Sequence, residues 1–214
     1  TRRISLLSPL IDLTQGLSAA KTPLIETAQR IGIGRRKAHK AYRQAVRQQE
    51  LCFEKIRSVG KQTLASLERH HDRLAVVLFG RPYNSFVEEA HMGIPHKLAS
   101  RGIPVIPVDF LPLANEIPTP NMYWGMGQLI TKAAQRVKNH PQLFGVYITN
   151  FSCGPDSFLL SFFRHIMGRK PSLTLELDSH TADAGLETRI EAFLDIVTSY
   201  RKLMAAKRIL VTKS

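Results

Sequence analysis

The sequence predicts an α/β protein: a Rossmann-like or flavodoxin-like parallel sheet of four strands with helices on both faces, preceded by a basic helical extension. Short apolar runs end in turn-rich loops, and each is followed by helical periodicity. The first run is apolar throughout, as expected of a parallel strand covered on both faces. With 214 residues, 43% of them hydrophobic, the chain is long enough for one such domain and an extension. We predict an extension at residues 1–72 and the α/β domain at 73–214.

The extension is predicted to be mostly helical. Residues 1–15 fit a strand or an extended arm, and Thr22 with the proline after it fits a helix start. Residues 35–70 lack proline, and their apolar residues recur at spacings of three and four. This pattern favours one long amphipathic helix, or two helices broken near Gly60. Cys52 lies on the apolar stripe, so we predict that it packs in a core or helix interface.

Four strands alternate with helices in the α/β domain. The predicted strands are residues 74–79, 105–108, 146–149 and 173–177. The predicted helices are residues 85–100 with a kink at Pro95, 123–138, 158–167 and 187–206. For the third helix, Asp156 or Ser157 is the predicted N-cap. Short connections between these elements favour a parallel sheet.

The formal net charge of +13 is concentrated in the extension, which has 14 Lys and Arg against 6 Asp and Glu. A basic cluster runs from Arg35 to Arg47. It could attract nucleic acid, an acidic protein surface or a phosphate-bearing cofactor, or it could be a solvated helix face. Aromatic residues are sparse there, and zinc-finger and RNA-recognition signatures are absent from the sequence. We therefore do not expect nucleic-acid binding.

Compartment signals point to the cytoplasm. The sequence contains no apolar stretch near the roughly 18 residues that cross a bilayer, and no signal-peptide pattern. Its two cysteines, Cys52 and Cys153, do not form a disulfide framework. We expect a cytoplasmic protein with no membrane partner. Because the sequence starts at Thr1 rather than Met, we also expect it to be part of a longer protein.

The chemically distinctive loops all follow predicted strands. In a parallel sheet, the loops after the strands meet at one edge, where open α/β folds bind ligands. We therefore expect the polar residues of these loops to line a common site. They are Arg81, Tyr83, Asn84, Asp109, Asn150, Cys153, Asp156, Asp178, His180 and Asp183.

Structural roles are open for several of these residues. Asp156 could cap a helix, and Asn150 could close a turn. Arg81 could pair with Asp109 or Asp178 instead of binding a ligand. His180, flanked by Asp178 and Asp183, could be a base or a metal ligand, or it could belong to a hydrogen-bonded loop.

Cys153 lies between a predicted strand and a predicted helix. A thiol beside a helix N-terminus is close to a partial positive charge, which favours the thiolate over the thiol. This position suits a metal ligand or a nucleophile, although a small buried thiol that fills space is an equally good interpretation. Dinucleotide, Walker, hydrolase-elbow and Cys-x-x-Cys motifs are absent from the sequence.

Several longer motifs resemble one family. They are Gly80-Arg-Pro-Tyr-Asn84, Pro107-Val-Asp-Phe-Leu-Pro112, Asn121-Met-Tyr-Trp-Gly125 with Gln128, Thr149-Asn-Phe-Ser-Cys-Gly-Pro-Asp-Ser-Phe158 and the segment 170–185. They resemble the large bacterial acyl-CoA dehydratase activase-related proteins, the CoA-substrate-specific enzyme activases. That family is similar to the iron–sulfur subunits of 2-hydroxyacyl-CoA dehydratases. The resemblance covers about residues 73–200.

The resemblance implies stacked Rossmann-like domains that each lend a cysteine to a 4Fe–4S or double-cubane cluster. It also implies acyl-CoA as a ligand, and an ATP-hydrolysing activator of the sugar-kinase/actin fold that reduces the cluster. Only Cys153 matches as a metal ligand. A 4Fe–4S cluster takes four thiolates, or three with one open iron. We therefore expect other domains of a longer chain, or other subunits, to complete the site, and we expect this chain alone to hold no cluster and to catalyse no turnover.

An alternative function is a non-redox module that binds coenzyme A or another phosphate-bearing ligand at the strand ends, through Arg81 and helix N-termini. For either function, one set of residues is predicted to surround the cofactor. The set is Arg81, Tyr83, Asn84, Asn150, Cys153, Asp178 and His180.

Overall fold

The computed structural model describes residues 5–150 and 152–211 of the chain. It divides into two compact units, Thr1–Ile56 and Arg57–Ser214. This division falls inside one long helix, whereas the sequence places the domain boundary at residue 72/73. Leu64 and Leu67, near the end of that helix, are buried in the core of the second unit. Residues 57–68 therefore pack with the α/β domain.

The first unit is a small helical region. A 3₁₀ turn at Leu17–Ala20 leads directly into α1, Lys21–Arg30, with Ala20 as its N-cap. The predicted start with Thr22 as cap is therefore wrong, because the 3₁₀ turn is continuous with the helix. Residues 5–15, the described part of the N-terminal segment, form no strand, and residues 1–4 lie outside the described residues.

The second helix, α2, is Arg35–Glu68. Ala38 on α2 is buried, as are Ala20 and Ile25, and the Tyr42 hydroxyl donates a hydrogen bond to the Leu17 carbonyl. Cys52 is exposed to solvent. The prediction that this thiol packs in a core is therefore wrong, because the apolar stripe of α2 is covered only in part.

The second unit contains the predicted parallel sheet. Its strands are β1, Ala75–Phe79; β2, Val105–Pro107; β3, Leu143–Asn150; and β4, Ser172–Leu177. The order across the sheet is β2-β1-β3-β4, and all neighbours are parallel. This order is that of flavodoxin-like folds and confirms the predicted fold class.

Helices cover both faces of the sheet. They are α3, Pro82–Ser85; α4, Glu88–His91; α5, Ile94–Ala99; α6, Gly125–Asn139; α7, Gly154–Met167; and α8, Asp183–Val211. Alternate residues of β1 point to opposite faces. Val77 packs in one core with α6, α7 and the end of α2, and Val76 packs in the other with α5 and α8. In the described part of the chain, no helix is long and apolar enough to cross a membrane.

Three predicted helices differ from the observed ones, and one of them is α8, which begins at Asp183, four residues before its predicted start. The predicted helix at 85–100 is interrupted because Met92 and Gly93 adopt left-handed backbone angles, with φ of 50° and 67°. Pro95 lies in the first turn of α5, where proline is tolerated. Helix α7 begins at Gly154, four residues before the predicted start, and Cys153 is its N-cap. The predicted cap at Asp156 or Ser157 is therefore wrong.

Helix α2 continues through Gly60, so the alternative of two helices is wrong. A Cβ atom at this position would lie 1.7 Å from the Phe110 carbonyl oxygen. Phe110 belongs to a 3₁₀ turn, Val108–Phe110, that follows β2. The glycine therefore permits the helix backbone to approach this turn closely, despite the low helix propensity of glycine.

We predict that Gly60→Ala destabilises the protein by about 1–3 kcal/mol, because the new methyl group forces α2 and the Phe110 turn apart. Gly185→Ala is a matched control in α8, where an added Cβ has no neighbour within 4 Å. It should be neutral or stabilise by up to about 1 kcal/mol. Urea unfolding of both variants checks the prediction, and equal effects of the two substitutions would contradict it.

Candidate functional site

The candidate site lies where β1 and β3 end side by side. After β1 the chain crosses to the face that carries α5, and after β3 it crosses to the face that carries α7. Such a reversal opens a crevice at the carboxyl edge of the sheet. Gly80 ends β1 with a φ of 144°, and a Cβ there would lie 2.7 Å from the Ile148 carbonyl oxygen. Glycine at this position therefore brings the β1 loop close to β3.

Arg81 connects the two loops. Its Nη2 donates a hydrogen bond to the Cys153 Sγ. Its Nε lies 3.0 Å from Asp156 Oδ1, at ion-pair distance, although the N–H does not point at the oxygen. The Arg81 side chain is 16% exposed and the Asp156 side chain is fully buried. The predicted alternatives, Asp109 or Asp178 as the partner of Arg81, are therefore wrong.

Buried polar groups hold the Asp156 carboxylate in place. Thr149 Oγ1 donates to Oδ2 at 2.9 Å, and Asn84 Nδ2 donates to the same oxygen at 3.3 Å. The Tyr147 hydroxyl donates to Oδ1 at 3.5 Å, a long and weak contact. Burial and the nearby carboxylate raise the pKa of Tyr147, so the phenol stays protonated and can donate. Asn84 is fully buried, and its Oδ1 has no hydrogen-bond partner among the described residues.

The Arg81 guanidinium also lies over the Tyr83 ring, 4.6 Å from its centroid. The ring is about half exposed, at 49%. Partial burial raises the pKa of Tyr83, and the guanidinium opposes this effect. Tyr83 therefore presents a neutral aromatic face and a hydroxyl at the rim of the site.

The loop backbone fixes the position of Cys153. Ser152 has a left-handed φ of 57°, an uncommon conformation for a residue with a side chain. The Cys153 N–H donates to the Asn150 carbonyl at 3.2 Å, and the Ser157 N–H donates to the Cys153 carbonyl at 2.9 Å. Cys153 is partly exposed. Its sulfur is thus presented at the start of α7 rather than used to fill the core.

The other predicted site residues lie apart from this network. Among the described residues, no hydrogen bond or ion pair joins Asp109, Asp178 or His180 to Arg81 or Asp156. The Asp178 carboxylate accepts hydrogen bonds from the His180 N–H at 2.9 Å and the Thr181 hydroxyl at 2.8 Å. These bonds hold the pKa of Asp178 below its usual range. The loop after β4 is therefore a self-contained hydrogen-bonded turn, the second of the two predicted interpretations.

Asp109 and Asp183 have separate environments as well. Asp109 is half-buried in the turn after β2, and burial raises the pKa of its carboxyl. Asp183 forms an ion pair with Lys97 at 2.8 Å, on an exposed part of α8. The four loops therefore share one edge, but among the described residues only the loops after β1 and β3 are joined by side-chain hydrogen bonds or an ion pair.

Asn150 lies beside the β4 loop. It is the register partner of Leu177 in the parallel pairing of β3 with β4. Together with Asp178 and Glu89, it lines a shallow groove of about 480 Å³. Two carboxylates thus border this groove. Asn150, which lines the groove, is only three residues before Cys153 in the sequence. The groove itself is acidic, whereas the Cys153 sulfur is in contact with the Arg81 cation.

Sequence reasoning missed Tyr147 and Thr149. A signal was available, because these residues are two apart on β3 and therefore point to the same face. That face carries α7, on which Asp156 lies in the first turn. Two polar side chains on the covered face of a strand indicate a buried polar partner.

Across residues 5–150 and 152–211, no group of three or more His, Cys, Asp or Glu side chains is placed to hold a metal ion. A family model, described as the CoA enzyme activase uncharacterised domain (DUF2229), matches residues 1–111. The chain belongs to this CoA enzyme activase domain family. The match includes α1, α2, β1 and the loop that carries Arg81. No curated protein and no solved structure matches this chain.

The buried ion pair between Arg81 and Asp156 gives a prediction for the stability of this CoA enzyme activase domain. Asp156→Asn should destabilise it by about 3–5 kcal/mol, because Arg81 loses its only carboxylate partner among the described residues in a poorly hydrated site. Asp183→Asn is the matched control. It removes the carboxylate of an exposed pair with Lys97 and should cost at most about 1 kcal/mol.

Chemical unfolding of the two variants at neutral pH measures the difference. Similar small losses for both would contradict a structural role for the Asp156 carboxylate.

Proposed function

We propose that this domain contributes Cys153 as a single thiolate ligand to an iron–sulfur cluster completed by other domains. In this proposal it is part of an electron-transfer protein related to 2-hydroxyacyl-CoA dehydratases and their activators. The observation that supports it best is the placement of the Cys153 sulfur, partly exposed at the β1–β3 crevice and in contact with Arg81. The membership of the CoA enzyme activase domain family is consistent with this function.

The Arg81 hydrogen bond and the start of α7 both favour the thiolate form of Cys153. The Arg81 guanidinium donates to Sγ, and Cys153 is the N-cap of α7, whose first turn carries a partial positive charge. A thiolate-ligated cluster is negative, and hydrogen bonds to its sulfur atoms influence its reduction potential. When bound, the cluster would supply one-electron transfer. Arg81 would orient the Cys153 side chain through its hydrogen bond to Sγ.

One cysteine cannot supply the three or four thiolates that a 4Fe–4S cluster takes, so the remaining ligands must come from elsewhere. The second cysteine, Cys52, belongs to the other compact unit and is exposed. We therefore propose that the remaining thiolates come from other domains of a longer chain or from other subunits. An ATP-hydrolysing activator of the sugar-kinase/actin fold is the proposed reductant, and acyl-CoA is the proposed substrate of the complete assembly. A reducing cytoplasm would keep the thiol available for ligation.

Coenzyme A binding by this domain alone is less well supported by the geometry. The charge of Arg81 is already balanced by the buried Asp156 carboxylate. The neighbouring groove is bordered by Glu89 and Asp178, whose carboxylates repel a phosphate. A cluster ligand fits the arrangement better than a phosphate site does.

The test is anaerobic iron–sulfur reconstitution of the complete gene product with two cysteine variants. Cys153→Ala should lower the iron content and the visible cluster absorption, because one of the thiolate ligands is lost. Cys52→Ala, the matched control, should leave both unchanged. Unchanged iron content and absorption in Cys153→Ala would show that the assignment is wrong.

Circular dichroism distinguishes loss of a ligand from loss of the fold. Cys153 is partly exposed and its thiol lies outside both hydrophobic cores. We therefore expect Cys153→Ala to keep the spectrum and the unfolding midpoint of the unmodified protein within a few degrees. If Cys153→Ala both lost iron and unfolded, the reconstitution would be repeated with Cys153→Ser, because serine is similar in size to cysteine.

A further inference from the structure

A second cavity lies at the opposite edge of the sheet from Cys153. It is bordered by the segments that precede β1, β3 and β4, by the end of α6, and by the C-terminal part of α8. Its volume is about 580 Å³, within the range of roughly 300–1,000 Å³ that small-molecule sites occupy. All of its lining residues belong to the second compact unit.

Several residues that line this amino-edge cavity are cationic. They are Lys138, Lys170 and Arg201, together with His71, and no aspartate or glutamate of the described residues lines the cavity. Positive side chains that converge on a concave surface concentrate the electric field and attract anions. The local charge therefore favours an anionic ligand.

Lys170 is buried beneath this surface, with a relative exposure of 7%. Its ammonium donates to the backbone carbonyls of Val137 at 2.6 Å and Lys138 at 3.4 Å, and also to that of His140. It lies 5.0 Å from the centroid of the Phe144 ring. These contacts satisfy its three N–H donors at the C-terminus of α6.

No carboxylate compensates the charge of Lys170 within the described residues. Burial lowers the pKa of its ammonium to about 8, and no acidic side chain opposes this effect. The carbonyls satisfy hydrogen bonding but leave a net positive charge next to the cavity. An anion bound there would stabilise the ammonium form.

Two hydrogen bonds position the Arg201 side chain at the cavity. Its Nη1 donates to the Asp72 carbonyl at 2.8 Å, and its Nη2 donates to the His71 carbonyl at 2.7 Å. Since an arginine has five N–H donors, three remain after these two bonds. A side chain fixed in this way loses little further entropy when it binds a ligand.

Part of the cavity lining is apolar. Tyr200, Met204 and Ala205, on the same helix α8 that carries Arg201, contribute this surface together with Pro141. Met204 is 39% exposed, so its thioether is accessible to a ligand. A lining that combines cationic and apolar side chains suits an amphipathic molecule with one negative end.

We propose that the amino-edge cavity binds a small organic anion with an apolar body, such as a medium-chain carboxylate. The carboxylate lies toward Lys138 and Arg201, with the Lys170 charge behind it. The hydrocarbon chain lies against Met204 and Tyr200. This site is separate from Cys153, and the proposal does not depend on an iron–sulfur cluster.

The test uses octanoate as the probe and the methionine methyl groups of the full chain as reporters. The sequence has five methionines, so methyl-¹³C labelling gives a small, assignable set of signals. Octanoate should shift the Met204 signal in a saturable manner and leave that of Met167, buried on α7, unchanged. Inorganic phosphate lacks the apolar body of the proposed ligand, and 1-octanol lacks its negative charge. Each should therefore bind at least about tenfold more weakly than octanoate.

Charge reversal locates the anionic end. Lys138→Glu should weaken octanoate binding by at least about threefold, the range expected for an exposed charge pair. Lys202→Glu is the matched control, since Lys202 is an exposed residue of α8 that does not line the cavity. Equal weakening by the two variants would overturn the proposal. It would also be overturned by no saturable Met204 shift, or by phosphate or octanol binding as tightly as octanoate.

Discussion

The ion pair between Arg81 and Asp156 constrains the part of the carboxyl edge where β1 and β3 lie side by side. A fully buried carboxylate is costly unless it has a positive partner and hydrogen-bond donors, and here it has both. The donors come from β3 and from the loop after β1, so the charge can be accommodated only when these two elements lie side by side. The interaction therefore connects sheet topology to the position of the Cys153 sulfur, which receives the second N–H group of the same arginine.

Close backbone approach makes this arrangement possible. Gly80 brings the loop after β1 against β3, and Gly60 brings α2 against the turn after β2. Neither position could carry a side chain without moving its neighbour. The same domain handles a second buried charge differently at its other edge, where Lys170 is satisfied by backbone carbonyls at the end of α6 rather than by a carboxylate. The carboxyl edge is thus electrostatically balanced, whereas the amino edge keeps a net positive charge.

The sequence was a good guide to the sheet and a poorer guide to helix ends and to the site. Strands such as β1 are apolar throughout and bounded by turns, so their positions and parallel arrangement could be predicted. The start of α7 was missed because Gly154 and the proline after it were interpreted as a loop, although proline suits the first turn of a helix. The exposure of Cys52 could not be predicted, because a helical stripe shows which residues share a face but not what covers that face.

The site was predicted in part. The common edge follows from topology, and the proximity of Arg81 to Cys153 follows from the adjacency of β1 and β3. The partner of Arg81 could not be chosen from sequence, since four aspartates lay in the loops at this edge. The structure favours Asp156 because it alone among them is in contact with buried donors from β3, Tyr147 and Thr149.

The most direct test of the central interaction is a double-mutant cycle in unfolding free energy with Arg81→Met, Asp156→Leu and the double variant. If the pair constrains the edge as described, each single substitution leaves one unpaired buried charge. The double variant should then be more stable than the sum of the single losses by about 1.5–3 kcal/mol. Additive losses, within about 0.5 kcal/mol, would show that the two side chains do not depend on each other and would contradict the account.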